Sequence, residues 1–175
     1  MKIRKYTEGD NLGWIRCRVL SFLDSAYYDN VLREKEKYAN PSIELVAEVD
    51  NKIVGLLDIE YESEIGTIGY KTNVLTAVIW HLAVLPEYRN LGIASSLLKE
   101  AIKLLNNTGI KIIQAWTRDD EWVLNWYLNR GFKLQEDKSY LHVYTEGKEC
   151  NEITASKIKG LHLCSSFCHY VGEDK

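Results

Sequence analysis

The stretch Thr76–Leu105 constrains the fold of this chain more than any other. Thr76–Val84 is rich in β-branched and aromatic residues, which marks a strand, and Pro86 stops it. A helical pattern covers Leu91–Leu105. Ile93, Leu97, Ala101 and Leu105 form one apolar row, and Ala94, Leu98 and Ile102 form the adjacent one. Asn106-Asn107-Thr108-Gly109 ends the pattern. A strand that runs through a short turn straight into an amphipathic helix has to lie in a sheet which that helix covers.

The turn itself, Arg89-Asn90-Leu91-Gly92-Ile93-Ala94, carries chemistry. The first backbone N–H groups of a helix have no intrahelical partners, and the helix dipole makes the same place mildly positive. Together they form an anion site suited to phosphates. Gly92 has no Cβ, so backbone and ligand can approach closely there, and Ala94 is the next smallest residue. Arg89 places a permanent cation at the mouth of the turn, where a guanidinium suits phosphate oxygens. A pyrophosphate fits this description.

The flanking sequence supplies the rest of a mixed fold. Ile3–Tyr6 reads as a short first strand, followed by polar Thr7–Asp10. Leu12, Ile15, Val19 and Phe22 or Leu23 recur at helical spacing, with Trp14 beside them. A second helical piece is expected over Asn30–Tyr38, with Glu34-Lys35-Glu36-Lys37 as its solvated face, and Asn40-Pro41 ends it. Ile43–Val49 and Lys52–Glu60 read as strands joined by the two-residue loop Asp50-Asn51. Tyr61–Asn73 reads as a loop or irregular hairpin, and Ile110–Trp116 as a strand. Asp120 is placed to cap a short helix over Glu121–Arg130, and Gly131 suits the left-handed position after its last turn. Tyr140–Tyr144 and Leu161–Val171 are further strands. Strands and helices interleaved in this order predict a mixed α/β sheet with helices on both faces.

Bulk properties narrow the function classes. The length, 175 residues, suits a single domain over 1–175. The formal net charge is −3 and Lys and Arg are scattered, which argues against sequence-independent nucleic-acid binding. No apolar run approaches the roughly 20 residues needed to span a bilayer, and Met1–Tyr6 lacks the apolar segment of a signal peptide. A cytoplasmic protein with free thiols at Cys17, Cys150, Cys164 and Cys168 is the expectation.

R-x-x-G-x-A at Arg89–Ala94, after the strand-end His81-Leu82-Ala83-Val84-Leu85-Pro86-Glu87-Tyr88, resembles the signature of the GNAT superfamily of N-acyltransferases. Trp126-Tyr127-Leu128-Asn129-Arg130-Gly131-Phe132 resembles the second signature of that family, a tyrosine-bearing helix ending in Gly-Phe. The resemblance covers about Val49–Tyr144. It implies a central, mostly antiparallel mixed sheet of about six or seven strands, splayed at the CoA site. It divides the chain into acceptor-shaping helices at about 8–38, a CoA-binding core at about 49–144 and a C-terminal strand region at 145–175.

The function it implies is transfer of an acetyl group from acetyl-CoA to a primary amine of a small molecule or peptide. The alternatives are another acyl-CoA, a protein amine, or a non-catalytic acyl-CoA-binding module. Carried over, Leu82, Ala83 and Val84 line the pantetheine arm, and Arg89, Asn90, Leu91, Gly92, Ile93, Ala94 and Ser95 cradle the pyrophosphate. Tyr127 corresponds to the tyrosine that protonates the leaving thiolate. Many members carry an asparagine where Asp120 stands, contacting the CoA arm; Asp120 can accept a hydrogen bond but donates no amide. Dimers are common in the family, so a homodimer is one expectation for the assembly.

Three sources remain open for the general base. Glu60 ends the strand before the site. His81 has suitable chemistry at neutral pH, but strict alternation puts it on the face opposite Val78, beneath a helix. Water is the third. Trp116, Trp122 and Trp126 suggest either an aromatic acceptor pocket or core packing, and Tyr27-Tyr28-Asp29 falls where the family shapes its acceptor site. His162, Cys164, Cys168 and His169 do not have a zinc spacing, so no metal is expected.

Overall fold

The computed structural model describes residues 1–23, 33–69, 72–117, 120–142 and 162–171, with side chains through residue 134. The chain forms two compact units, Met1–Gln114 and Ala115–Val171.

In the first unit, β1 (Lys2–Lys5), β2 (Ser42–Val49), β3 (Lys52–Tyr61) and β4 (Thr76–Val84) lie side by side in chain order, each antiparallel to the next. Asp50 and Asn51, which join β2 to β3, have φ of 48° and 59°. Both are left-handed, as the tightest hairpin loop requires. Arg4 fastens the edge strand: its guanidinium reaches Asp10 at 2.6 Å and Glu48 at 2.6 Å.

Register decides which side chains share a face. Glu44 pairs with Asp58, and Asp58 pairs with His81, so these three stand in one row across β2, β3 and β4. Ser42, Glu60 and Val78 form the next row on that face. Between the two rows the register slips. Asp58 faces His81 while Ile59 faces Ile79, leaving Trp80 as the extra residue of a bulge. The bulge breaks the alternation that sequence reading assumed, and His81 follows Val78 on the same face rather than opposing it.

The helix α2 (Ile93–Leu105) covers the other face. It starts two residues later than the apolar pattern suggests, because Asn90 (φ 63°) and Gly92 (φ 78°) are left-handed and cannot belong to a right-handed helix. Its predicted row, Ile93, Leu97, Ala101 and Leu105, is buried along its whole length. Gly55 on β3 lets it close in: a Cβ there would sit 2.9 Å from Ile93 and 3.3 Å from Leu97.

Helix α1 (Asn11–Phe22) packs on the face of the ionisable row, but not with the residues expected. Trp14, Cys17, Arg18 and Ser21 are buried, whereas Leu12 is 81% exposed. The apolar spacing misled because this helix covers charged groups, and an arginine and a tryptophan edge serve there better than leucines. Residues 33–41 are also not helical. They cross the same face as an irregular strap, and Lys35 is buried rather than solvated. Tyr27-Tyr28-Asp29 and Cys150 lie outside the described residues, as do the side chains of Cys164, Cys168, His162 and His169.

β5 (Ile112–Thr117) leads from the first unit into the second. There α3 (Glu121–Leu128) starts at Asp120, whose backbone is extended at the cap position. Its carbonyl accepts from the N–H groups of Val123 and Leu124. Gly131 follows with φ 83°, as anticipated. β6 (Phe132–His142) and β7 (His162–Val171) then pair antiparallel, so the C-terminal strand pairs within its own chain. Among the described residues no helix is long and apolar enough to cross a membrane.

Candidate active site

The turn between β4 and α2 is built by its backbone. Arg89 is extended, Asn90 and Gly92 are left-handed, and Gly92 is the residue from which α2 starts. The first bond of the helix runs from the Ser96 N–H to the Gly92 carbonyl at 3.0 Å. The amides of Ile93 and Ala94 precede it and have no carbonyl one turn back. Residues 89–92 are exposed, and a Cβ built on Gly92 would meet nothing within 4 Å. The turn is therefore exposed and open over Gly92, with the leading amides of α2 beside it, an arrangement of the kind that holds anionic oxygens.

Arg89 takes a different post from the one its sequence position suggested. Its Nη2 donates to the Ser21 carbonyl at 2.9 Å, in the last turn of α1, and its Nε lies 3.4 Å from the Val84 carbonyl. The guanidinium ties α1 to the end of β4 and keeps its charge beside the turn. On β4, Leu82 and Val84 are half-buried and Ala83 is buried, paired to Leu57, Gly55 and Leu56 of β3 respectively.

Glu60 is buried and held as an acceptor. Its Oε1 takes the N–H of Asn40 at 2.8 Å and the Asn40 amide at 3.0 Å, and its Oε2 takes the Trp80 indole N–H at 2.8 Å. Trp80, the bulged residue, is thereby fixed while 45% exposed. His81 lies under α1 with its ring edge-on to Trp14, centroids 5.3 Å apart. Arg18 Nε approaches its Nδ1 at 3.4 Å, and its Nε2 meets the Glu36 carboxylate. An arginine has only donors, so Nδ1 is the accepting nitrogen and Nε2 carries the hydrogen given to Glu36. Both ring nitrogens are thus engaged by side chains on this face of the sheet.

In the second unit Tyr127 is buried between Trp126 and Phe132, edge-on to each with centroids 5.0 Å apart. The Arg130 guanidinium stacks on Trp126 at 3.9 Å and donates to the Trp126 carbonyl at 2.7 Å. Trp122 is 60% exposed.

Residues 8–132 match the Acetyltransferase (GNAT) family. The chain belongs to that family. As a GNAT acetyltransferase it is an acyltransferase by class, and solved structures of the same fold surround it. PaiA N-acetyltransferase from Thermoplasma acidophilum, in complex with coenzyme A, superposes with a TM-score of 0.65 at 19% identity over 98% of both chains. The ribosomal-protein-alanine N-acetyltransferase of Brucella melitensis gives 0.67 at 14% identity, covering 98% of this chain and 100% of that one. Arabidopsis thaliana NAA60, in complex with a bisubstrate analogue, gives 0.64 at 17% identity over 97% of both.

The acetyltransferase also carries a polar constellation that sequence reading missed. Lys35 Nζ lies 2.8 Å from Asp58 Oδ2 and 2.8 Å from Glu44 Oε2. The Tyr38 hydroxyl donates to the same Asp58 oxygen at 2.9 Å, and Ser42 donates to Glu44 Oε1 at 2.6 Å. Burial pulls the Lys35 ammonium down, but the two carboxylates more than offset this and hold it above the ordinary lysine range. One sequence signal pointed here: Asp58 is a lone charge inside Ile53-Val54-Gly55-Leu56-Leu57-Asp58-Ile59. An acid buried in such a strand needs a partner, and Lys35 is that partner.

Proposed function

We propose that this GNAT acetyltransferase moves an acetyl group from acetyl-CoA to a primary amine by direct attack. The observation that carries this reading is the Arg89–Ala94 turn. It has two left-handed residues, an open space over Gly92 and the leading amides of α2 at one exposed place. An anion with several oxygens fits that space, and the pyrophosphate of CoA is such an anion.

CoA supplies the acyl group as a thioester, whose carbonyl is open to a neutral amine. The residues of the chain do the rest. The backbone of Asn90 to Ser95 holds the pyrophosphate, with the Arg89 charge beside it. The Leu82–Val84 backbone lines the pantetheine arm, and one of its N–H groups steadies the developing oxyanion. Asp120 accepts a hydrogen bond from the CoA arm. The Tyr127 hydroxyl gives its proton to the departing sulfur, a role suited to a phenol with an ordinary pKa of about 10. Glu60 is the acid placed to receive the proton from the amine. A carboxylate offers about four acceptor positions, and Asn40 and Trp80 take three of them.

A thiol-release assay with acetyl-CoA and a panel of small amines and peptides tests the reading. Turnover on at least one primary amine is the expected result. Tight acetyl-CoA binding with no turnover on any would favour a non-catalytic binding module. Tyr127→Phe keeps the ring packing against Trp126 and Phe132 but should lower kcat roughly 100-fold, with little change in the KM for acetyl-CoA. Glu60→Gln should lower kcat with little change in the KM for acetyl-CoA. An unchanged kcat would remove Glu60 from the mechanism.

A further inference from the structure

The Lys35 ammonium sits in a cage. Tyr6, Trp14 and Tyr38 surround it, with ring centroids 5.1, 5.1 and 4.8 Å away, each inside the reach of a cation–π contact. Asp58 and Glu44 close the cage below, both at 2.8 Å. The Lys35 side chain is only 4% exposed and Asp58 is fully buried. The other carboxylate oxygen of Asp58, Oδ1, has no hydrogen-bond partner among the described residues, so this site has acceptor capacity beyond what Lys35 uses.

The occupant is attached in a replaceable way. Residues 33–41 form no helix or strand, and their only apolar side chains are Tyr38, Ala39 and Pro41. The strap meets the sheet through polar groups: Lys35 with Asp58 and Glu44, Glu36 with His81, Tyr38 with Asp58, and Asn40 with Glu60. The Lys35 N–H donates to Asn11 Oδ1 at 3.2 Å. Polar contacts of this kind exchange with those of a polar ligand at small net cost, unlike buried apolar packing. The cage also lies close to the strand proposed to line the acyl carrier. Asp58 is the register partner of His81, which precedes Leu82, and adjacent strands lie about 4.8 Å apart.

We propose that the Tyr6–Trp14–Tyr38 cage over Asp58 and Glu44 is an alkylammonium receptor, self-occupied by Lys35, and that the amine acceptor docks by putting a second, non-reacting ammonium in its place. The inference rests on the proposed amine acetylation. The second ammonium follows from chemistry. Two carboxylates keep a nitrogen in this cage protonated, and a protonated nitrogen has no lone pair with which to attack. The acceptor class is therefore a diamine or a longer amine with at least two nitrogens, one held and one acetylated.

Lys35→Ala removes a propylammonium-sized piece from the cage, so n-propylammonium chloride is the probe. The variant should melt roughly 5–10 °C below the parent chain, as expected when a buried ion pair loses one partner. n-Propylammonium should restore at least half of that loss, saturably. Sodium chloride at equal ionic strength and n-propanol should restore none. If Lys35→Ala does not fold in buffer, recovery of folded protein on refolding with n-propylammonium, and not with sodium chloride, is the same positive result. Lys35→Met fills the space without charge and should gain nothing from the amine. Rescue that is absent, unsaturable or matched by sodium chloride overturns the receptor.

With the parent chain and acetyl-CoA, butane-1,4-diamine should be acetylated with a kcat/KM at least tenfold above that of n-butylamine. Asp58→Asn should erase the difference while leaving the KM for acetyl-CoA in place. Equal use of both amines would overturn the docking role. Failure of the parent chain to bind acetyl-CoA in a separate titration would instead overturn the proposed function, so the two readings fail by different results.

Discussion

On the α2 face of the β1–β4 sheet, Gly55 lies under Ile93 and Leu97, buried Leu57 and Ile59 follow it on the same side of β3, and the helix row Ile93, Leu97, Ala101 and Leu105 is buried and apolar. On the α1 face of the same strands, Glu44, Asp58 and His81 stand in a row under Trp14, Arg18 and Lys35. Alternation along β3 makes the two faces direct neighbours in sequence, one residue apart. The α2 face gains its stability from area removed from water, about 1.5–3 kcal/mol for each large buried side chain. The α1 face sets buried charges against one another, which contributes little net stability but demands particular partners. The first kind of face makes a fold, and the second makes a fold selective.

The largest effect should come from breaking the α1 face at one partner. Asp58→Asn leaves the Lys35 ammonium short of a counter-charge in a dry place and should cost about 3–5 kcal/mol in urea unfolding. Removing both charges sharpens the comparison. The double variant Lys35→Met with Asp58→Leu should recover most of that loss, because a well-packed apolar pair replaces a buried ion pair at little cost. A double variant no more stable than Asp58→Asn would mean that the charges themselves hold the strap down. The α2 face should behave in the opposite way. Leu97→Ala should cost about 2–5 kcal/mol, with no polar partner to remove in compensation.

Acid should act on the polar ties first and give a smaller effect. The Arg4 guanidinium beside Asp10 holds that carboxyl well below the usual carboxylate range. The hydrogen bond with His81 lowers Glu36. Burial pushes Glu62 up, but backbone N–H groups of Gly66, Ile68, Gly69 and Thr76 more than offset it, so it too lies low. A carboxylate depressed by folding contributes stability that is present above its unfolded pKa and is lost as pH falls through its folded value. Stability should therefore hold above about pH 5, start to fall near pH 4 and keep falling as these three protonate. A urea midpoint unchanged from pH 6 to pH 3 would contradict this.

The α2 face was legible in the sequence because burial there follows a single rule, apolar at helical spacing. The turn was legible as a break between strand and helix, but its left-handed backbone at Asn90 and Gly92 was not, and it delays the helix by two residues. The α1 face was hidden for three physical reasons. The bulge at Trp80 moved His81 to the face of Val78, and no alternation count detects an inserted residue. The strap around Lys35 carries the charge pattern of an exposed helix, and only the carboxylates of Asp58 and Glu44 on the sheet beneath it explain its burial. The exposed Leu12 lies on a helix whose buried side carries Arg18, so hydrophobicity there points the wrong way. Tyr127 is proposed from its motif, not from any property of its surroundings.

The central claim is that the Arg89–Ala94 turn holds the pyrophosphate of the acyl donor, and calorimetric titration of CoA into three forms of the chain tests it most directly. Gly92→Ala keeps a small side chain and pays only the left-handed strain, about 1–2 kcal/mol of stability, since the space over Gly92 is open. It should bind CoA within a few-fold of the parent. Gly92→Glu suffers the same strain but turns a carboxylate toward the phosphates, and should bind roughly 100-fold more weakly or not at all while circular dichroism shows the fold intact. Equal CoA affinity in Gly92→Glu and Gly92→Ala would contradict the account, because the pyrophosphate would then have to sit elsewhere.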